Sequence, residues 1–262
     1  MPLTLALAQC AHPSDGDVVA LVRSWARDAK ACGAQLLVFP ECLMTPFEST
    51  PDQFAAAAEP LDGPFTCAVD AVARELGLWL AYTVNERNPR GGRPFNTLVL
   101  TDGDGVRRAA YRKVHLFDVG KFRESDKMSP GEALPKPVPT PFGALGLGIC
   151  YDLRFPELAR AQALAGCELM LYPAAWVDGP GKREQWSALL RARAIENGMF
   201  VAGLCRAGSL YVGSSLVVGP RGEVVASAGE GEELLCCTVD LDEVAAARAA
   251  VPSLSHRRVD LY

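Results

Sequence analysis

Gly33-Ala-Gln-Leu-Leu-Val-Phe-Pro40 and Gly166-Cys-Glu-Leu-Met-Leu-Tyr-Pro173 are two versions of one eight-residue phrase. Each begins with a glycine, runs through four consecutive apolar residues and closes on proline. A short apolar run with no polar alternation reads as a strand buried on both faces, the usual state of a parallel strand covered by helices. The residues upstream agree with this. Asp17 to Cys32 carries Val18, Leu21, Val22 and Trp25 at helical spacing, and Gly33 is placed to stop the helix. Leu3 to Gln9 alternates as a strand. In the second half, Leu145 to Ile149 reads as a strand and Pro156 to Ala165 as a helix. Proline opens that helix in its first turn and Gly166 follows its end. Leu5-Ala-Leu-Ala-Gln-Cys10 resembles Leu145-Gly-Leu-Gly-Ile-Cys150. Two βαβ units repeated within one chain predict an α/β fold of two stacked sheets related by a pseudo-twofold. Ligands gather at the C-terminal ends of parallel strands, and those ends place Glu41 and Cys150.

Around these units, Leu78 to Val84 and Asn96 to Thr101 read as strands. A turn at Asp102-Gly103-Asp104-Gly105 leads into Val106 to Arg112. Phe117 to Pro141 holds Pro130, Pro135, Pro137, Pro139 and Pro141 with few apolar residues, which predicts a long ordered loop or lid. Glu184 to Asn197 sets Trp186, Leu189, Leu190 and Ala194 on one helical face, with Gly198 as its stop. Met199 to Leu204, Ser215 to Val218, Glu223 to Ala226 and Leu234 to Val239 continue the sheets. The expectation is one domain over residues 1–262.

Composition narrows the function. At 49% hydrophobic and 22% charged residues the 262-residue chain is globular rather than disordered or fibrous. Its 26 Lys and Arg against 31 Asp and Glu build no basic stripe, which argues against a nucleic-acid partner and for a small molecule. Nine cysteines, an odd number without paired metal-ligand spacing, read as reduced thiols and predict a cytoplasmic protein. No apolar stretch is long enough for a membrane span, and the first residues lack the basic region of a signal peptide.

Cys150 lies where a strand gives way to a turn and then a helix, a place where a thiol meets substrate beside backbone N–H groups. The histidines, His12, His115 and His256, are isolated and form no metal motif, so a base for Cys150 has to be another group. Glu41, a carboxylate after an apolar strand that predicts its burial, is the candidate for that task. Lys113, at the end of Ala109-Ala110-Tyr111-Arg112, can offer a fixed positive charge to an oxyanion. Glu124, in Phe122-Arg123-Glu124-Ser125, reads by itself as surface charge.

Taken together, Pro40-Glu41, Tyr111-Arg112-Lys113-Val114-His115-Leu116 and Gly148-Ile149-Cys150-Tyr151-Asp152-Leu153-Arg154-Phe155-Pro156-Glu157 resemble the nitrilase superfamily of carbon-nitrogen hydrolases. Phe122 to Ser125 followed by Pro130-Gly131, the Arg191 to Asn197 helix and the His256 to Tyr262 tail extend the resemblance over nearly the whole chain. It implies a four-layer αββα sandwich that dimerises through helices, and neither metal nor organic cofactor. It also implies the roles. Cys150 attacks an amide carbonyl, Glu41 moves the proton, Lys113 and the Tyr151 backbone N–H hold the oxyanion, and Glu124 orders substrate, Lys113 and Glu41. A thioester is then released by water.

Within the superfamily the patterns are most similar to omega-amidases and deaminated-glutathione amidases, whose substrates are small amides bearing a carboxylate. Many such relatives carry Gly-Pro-Ala-His-Trp-Glu where this chain has Gly181-Lys182-Arg183-Glu184-Gln185-Trp186, so Gln185 replaces the histidine. Lys182 and Arg183 are candidates to grip a substrate carboxylate, and Trp176 is a candidate pocket wall. The alternatives are another branch of the superfamily (aliphatic amidase, N-carbamoyl amidase or nitrilase) and a catalytically silent binding or scaffold protein.

Overall fold

The computed structural model describes residues 2–14 and 16–261. The chain opens with strand β1 (Pro2–Gln9), helix α1 (Val18–Ala31) and strand β2 (Leu36–Val38). Helices α2 (Pro51–Ala57) and α3 (Pro64–Leu76) lead to strands β3 (Trp79–Glu86), β4 (Phe95–Thr101) and β5 (Arg107–Arg112). A small hairpin of β6 (Asp118–Val119) and β7 (Phe122–Arg123) follows, then a 3-10 turn at Glu124–Asp126 and strand β8 (Val138–Thr140). The second unit comprises β9 (Gly143–Leu147), α4 (Pro156–Leu164), β10 (Leu169–Ala174), α5 (Lys182–Asn197) and β11 (Phe200–Cys205). Strands β12 (Leu216–Val218), β13 (Val224–Ser227) and β14 (Glu233–Asp240) and helix α6 (Glu243–Ala250) complete it.

Two six-stranded sheets result, ordered β14-β1-β2-β3-β4-β5 and β13-β12-β11-β10-β9-β8. Their pairing follows the same rule. In each sheet one antiparallel edge strand is followed by three parallel strands and then two antiparallel ones. The repeated phrase occupies β2 in one sheet and β10 in the other, so the pseudo-twofold expected from sequence is present. Strand β14 returns from the second unit to pair with β1 along its whole length, from Pro2 against Asp240 to Gln9 against Glu233.

Alternation along β1 divides the core. Leu3, Leu5 and Leu7 join the cluster shared with Leu145, Leu147, Leu169 and Leu171 of the other sheet. Ala6 and Ala8 turn the other way, onto Val22, Ala26 and Ala29 of α1 and Val69, Val72 and Ala73 of α3. Small residues on that face let the helices sit close. The second sheet is covered by α4 and α5 through Leu158, Trp186 and Leu190. The layers are therefore αββα.

Three expectations need correction. Helices α2, α3 and α6 fall outside the elements expected from sequence, although α3 carries ordinary helix signals: Pro64 in its first turn and Gly77 in the left-handed region past its end. Residues 117–141 are not one loop, because they contain the β6–β7 hairpin, a 3-10 turn and the edge strand β8. Glu124 is not surface charge, being 3% exposed. Among the described residues no helix is long and apolar enough to cross a membrane.

Candidate active site

Four side chains from four separate segments converge at one end of the two sheets. Glu41 follows β2 after Phe39-Pro40, and Lys113 directly follows β5. Glu124 begins the 3-10 turn after β7, and Cys150 begins a second 3-10 turn, Cys150–Arg154, after β9. Gly148 makes the approach to Cys150 possible: a Cβ there would meet the Tyr172 ring at 2.6 Å. Cys150 itself has φ +43°, in the left-handed region that costs a non-glycine residue energy. Tyr151 is the next residue of that turn, whose leading N–H groups have no acceptor within the turn itself.

All four groups are buried. The Lys113 Nζ donates to Glu41 Oε1 at 2.8 Å and to both Glu124 oxygens, at 2.9 and 2.8 Å. Asn96 Nδ2 donates to the same Glu41 oxygen at 2.8 Å, and the Ala175 N–H donates to Glu41 Oε2 at 2.8 Å. The Phe117 N–H holds Glu124 Oε2 at 2.7 Å. Every carboxylate oxygen is thus aimed by at least one donor, and the ammonium is shared between two acids.

The electrostatics follow from this arrangement. Burial works to lower the Lys113 pKa, but the charges of Glu124 and Glu41 outweigh it and hold the group well above the ordinary lysine value. Burial lifts Glu124 above the ordinary glutamate value, Lys113 opposes that shift and Glu41 adds to it. Burial, followed by the negative charge of Glu41, pushes the Cys150 thiol well above the usual range, and Glu41 accepts its hydrogen bond. The thiol is therefore neutral near pH 7. It becomes a nucleophile only as its proton passes to the adjoining carboxylate, while Lys113 remains charged beside the developing oxyanion.

A pocket opens over these groups, walled by Phe47, Phe117, Tyr151 and Trp176. Arg154 and Lys182 also line it. The Arg154 guanidinium lies 4.6 Å from the Trp176 ring centroid, and Lys182 Nζ lies 5.5 Å from that of Phe117. Neither cation forms a salt bridge among the described residues; Arg154 donates to Gln185 Oε1 at 2.8 Å. Burial and the neighbouring Arg154 charge both lower the Lys182 pKa. Two cations face the cavity from its aromatic side, while the carboxylates that line it, Glu41 and Glu124, are engaged by Lys113.

Of the residues expected at the site, the structure brings together Glu41, Lys113, Glu124, Cys150, Tyr151, Trp176 and Lys182. It sets Gln185 behind Arg154 and does not bring in Arg183. Arg183 pairs instead with Glu230 and Asp178 outside the pocket. The reason is helical phase, since one residue beyond Lys182 turns about 100° around α5. Trp176 serves as wall and as core, packing against Trp186 at 5.2 Å. Sequence reasoning passed over Arg154, although it stands in the same Cys150–Arg154 turn, and Asn96, which lies on β4 and shows its role only through its contact with Glu41. Among the described residues no cluster of His, Cys, Asp and Glu is arranged to hold a metal ion.

Comparison with known proteins places this geometry. The family model for carbon-nitrogen hydrolase matches residues 4–249. An omega-amidase from Homo sapiens is 37% identical, the match covering 94% of this chain and 91% of the relative. A deaminated glutathione amidase from Rattus norvegicus is 40% identical over 90% of this chain and 76% of its own length. A carbon-nitrogen hydrolase from Helicobacter pylori G27 superposes with a TM-score of 0.92 at 28% identity, covering 100% of this chain and 97% of the other. A glutamate-to-glutamine variant of an amidase from Nesterenkonia sp. AN1 matches with a TM-score of 0.84 at 29% identity, over 99% of this chain and 95% of its own. Its active-site cysteine carries the acetamide moiety of fluoroacetamide. With a family match spanning nearly the full length, relatives above 30% identity and a shared fold, this chain belongs to the carbon-nitrogen hydrolase family.

Proposed function

We propose that the protein is a cysteine-dependent amidase that hydrolyses small amides bearing a carboxylate, with residues 1–262 acting as one catalytic domain. The observation that carries the substrate class is the pair of cations, Arg154 and Lys182, facing the cavity above Cys150 with no salt-bridge partner among the described residues. An anionic group on the substrate relieves their mutual repulsion and receives charge-assisted hydrogen bonds. The relatives named for omega-amidase and deaminated glutathione amidase activity support the same class.

In this reading the Cys150 sulfur attacks the amide carbonyl as its proton moves to Glu41. The oxyanion is held by Lys113 and the Tyr151 backbone N–H. The C–N bond then breaks, Glu41 passes its proton to the leaving nitrogen, and ammonia departs from a Cys150 thioester. Glu41 next takes a proton from water, whose oxygen attacks the thioester carbonyl, and the acid and free thiol are released. Glu124 keeps Lys113 and Glu41 in place throughout.

Ammonia release from succinamate, α-ketoglutaramate, a deaminated glutathione analogue, glutamine, propionamide, an N-carbamoyl amino acid and a simple nitrile tests the assignment. Turnover concentrated in the carboxylate amides supports it; preference for neutral amides, carbamoyl compounds or nitriles removes the substrate class. Arg154→Ala is expected to raise KM for carboxylate amides by ~10–100-fold, the equivalent of one hydrogen bond to a charged group, with propionamide unaffected. Arg183→Ala should leave both constants unchanged. An equal response of charged and neutral substrates to Arg154→Ala would remove its assigned role.

The proposal extends to a homodimer in the cytoplasm. Leu164 on α4 and Ile195 on α5 are exposed apolar side chains on helices of the outer layer, and Val251 is another just past α6, a pattern that suits helix-to-helix pairing. The nine cysteines form no disulfide among the described residues, which suits a reducing compartment. Sedimentation of the wild type beside Ile195→Glu checks the assembly.

A further inference from the structure

Two segments distant in sequence meet at one carboxylate that takes no part in lining the pocket. Asp152 has no solvent exposure. Its Oδ2 accepts from the Tyr111 hydroxyl at 2.8 Å and from the Ile149 N–H at 2.9 Å. Its Oδ1 faces Nδ1 of the His115 ring at 2.7 Å and accepts from the His115 N–H at 3.3 Å. A carboxylate can only accept, so His115 Nδ1 carries the proton in this contact. Burial and then the Asp152 charge push the Tyr111 hydroxyl far up, which keeps it a donor.

The sequence positions of these partners matter more than their number. Tyr111 and His115 lie two residues to either side of Lys113, while Ile149 and Asp152 enclose Cys150 in the second 3-10 turn. The same turn is closed by the Asp152 N–H, which donates to the Ile149 carbonyl at 2.9 Å. Asp152 therefore ties both its backbone and its side chain to Ile149, across the cysteine held at φ +43°. It also ties that turn to the end of the strand that delivers Lys113. On the outer side the His115 ring stacks on Phe155, with centroids 3.6 Å apart and planes within 6°. Phe155 packs edge-on against Tyr151, and Tyr151 against the pocket wall at Phe117.

We propose that Asp152 is a positioning residue for the reaction, a clamp that sets the Lys113 ammonium in register with the Cys150 thiol. The proposal rests on the reading of Cys150 as nucleophile and Lys113 as oxyanion partner. It goes beyond that reading because Asp152 contacts neither the substrate cavity nor the reacting groups. The physical basis is the steep dependence of reaction rate on alignment: a displacement of about 1 Å at a reacting centre can cost ~100-fold. Without Asp152 the segment around Lys113 keeps the His115–Phe155 stack but loses the hydrogen bonds of Tyr111 and His115 to the turn around Cys150, and the left-handed cysteine loses the acceptor that fixes Ile149.

The test compares variants that differ in hydrogen bonding but not in shape. Asp152→Asn keeps the volume and places an amide donor where two donors already point. It is expected to lower kcat by ~100-fold while KM stays within about threefold. His115→Phe keeps the stack on Phe155 and deletes the ring donor, whereas His115→Asn keeps a short donor. The expectation is a loss of ~10-fold in kcat for the first and recovery to within about threefold of wild type for the second. Iodoacetamide labelling of Cys150, followed by mass spectrometry of the Cys150 peptide, should slow in parallel with kcat.

Variants that melt at lower temperature yet keep wild-type kcat and labelling rate would overturn the clamp and leave Asp152 a structural residue. If Asp152→Asn does not fold, the His115 pair decides on the same two readouts. If the wild type turns over no amide, the proposed reaction falls, while the labelling rates still decide whether the clamp governs the thiol.

Discussion

Cys150→Ala is expected to abolish amide hydrolysis, with kcat falling by ~10⁵-fold or more, while the protein keeps its fold and melting temperature. Loss of a nucleophile that acts as a unit with its base removes nearly all of the chemical acceleration, leaving what binding and the oxyanion donors supply alone. The fold should tolerate the change because the thiol sits at a turn, at the boundary between core and pocket. Alanine also removes only one heavy atom and keeps the β-carbon that the backbone already accommodates at φ +43°. Cys150→Ser should be nearly as inactive. Glu41 can take a proton from a thiol that burial has raised, but a hydroxyl starts from a far higher pKa and offers a poorer nucleophile. Steady-state ammonia release and a thermal melt on the same preparations read both halves of the expectation. Full activity in the alanine variant would eliminate the thioester route.

Lys113→Ala should have the second largest effect, and it should appear in activity and stability together. Removing one oxyanion donor from a water-poor site typically costs about 2.7–4 kcal/mol of transition-state stabilisation. That loss should lower kcat and kcat/KM alike; a rise in KM with kcat unchanged would refute the oxyanion role. Stability suffers because Glu41 and Glu124 then face each other in a buried site without their shared cation, and breaking a buried ion pair from one side costs about 3–5 kcal/mol.

The pH dependence gives that claim a sign. In the wild type the Lys113 pKa is raised by folding, so its contribution is fully present at neutral pH and is lost only as pH rises past the ordinary lysine range. The Glu124 pKa is also raised by folding, so holding its charge costs the folded state stability as pH rises past the ordinary glutamate value. Lys113 opposes that rise, and without it the Glu124 value moves higher still. The variant should therefore be most stable below the ordinary glutamate value of about 4.3 and lose stability as pH rises toward neutrality. The gap in melting temperature between wild type and variant should be widest near pH 7–8 and narrow toward pH 4. A gap independent of pH would mean that the lysine stem, rather than its charge, supports the site.

How much of this was legible in the residues depends on the range of the signal. The repeated Gly33–Pro40 and Gly166–Pro173 phrases report strands through apolar runs and helix ends through glycine and proline, and these are local properties. They therefore carried the two βαβ units, the pseudo-twofold and the strand ends that present Glu41 and Cys150. The family motifs carried Lys113 in the same way. Glu124 illustrates the limit. Its neighbours in sequence are polar, and its burial comes from Lys113 and the Phe117 N–H, neither of which its own segment reveals.

The remaining decisions belong to the tertiary structure. Sequence placed Lys182 and Arg183 side by side as equal candidates, and only the phase of α5 against the pocket separates them. It passed over Arg154, whose place in the pocket depends on how the turn after Cys150 is folded. Asp152 stands in the motif after Cys150 without a role of its own, and His115 reads as an isolated histidine. They become one device only when the end of β5 and the turn after β9, from different sheets, meet at the Asp152 carboxylate. Sequence by itself determined the two-sheet fold, which rests on periodicity, and pointed to acid, cation and thiol through motifs that resemble those of the family. The protonation states, the cation pair at the pocket mouth and the clamp between Lys113 and Cys150 were decided by packing, because each depends on distances of a few ångströms between side chains far apart in the chain.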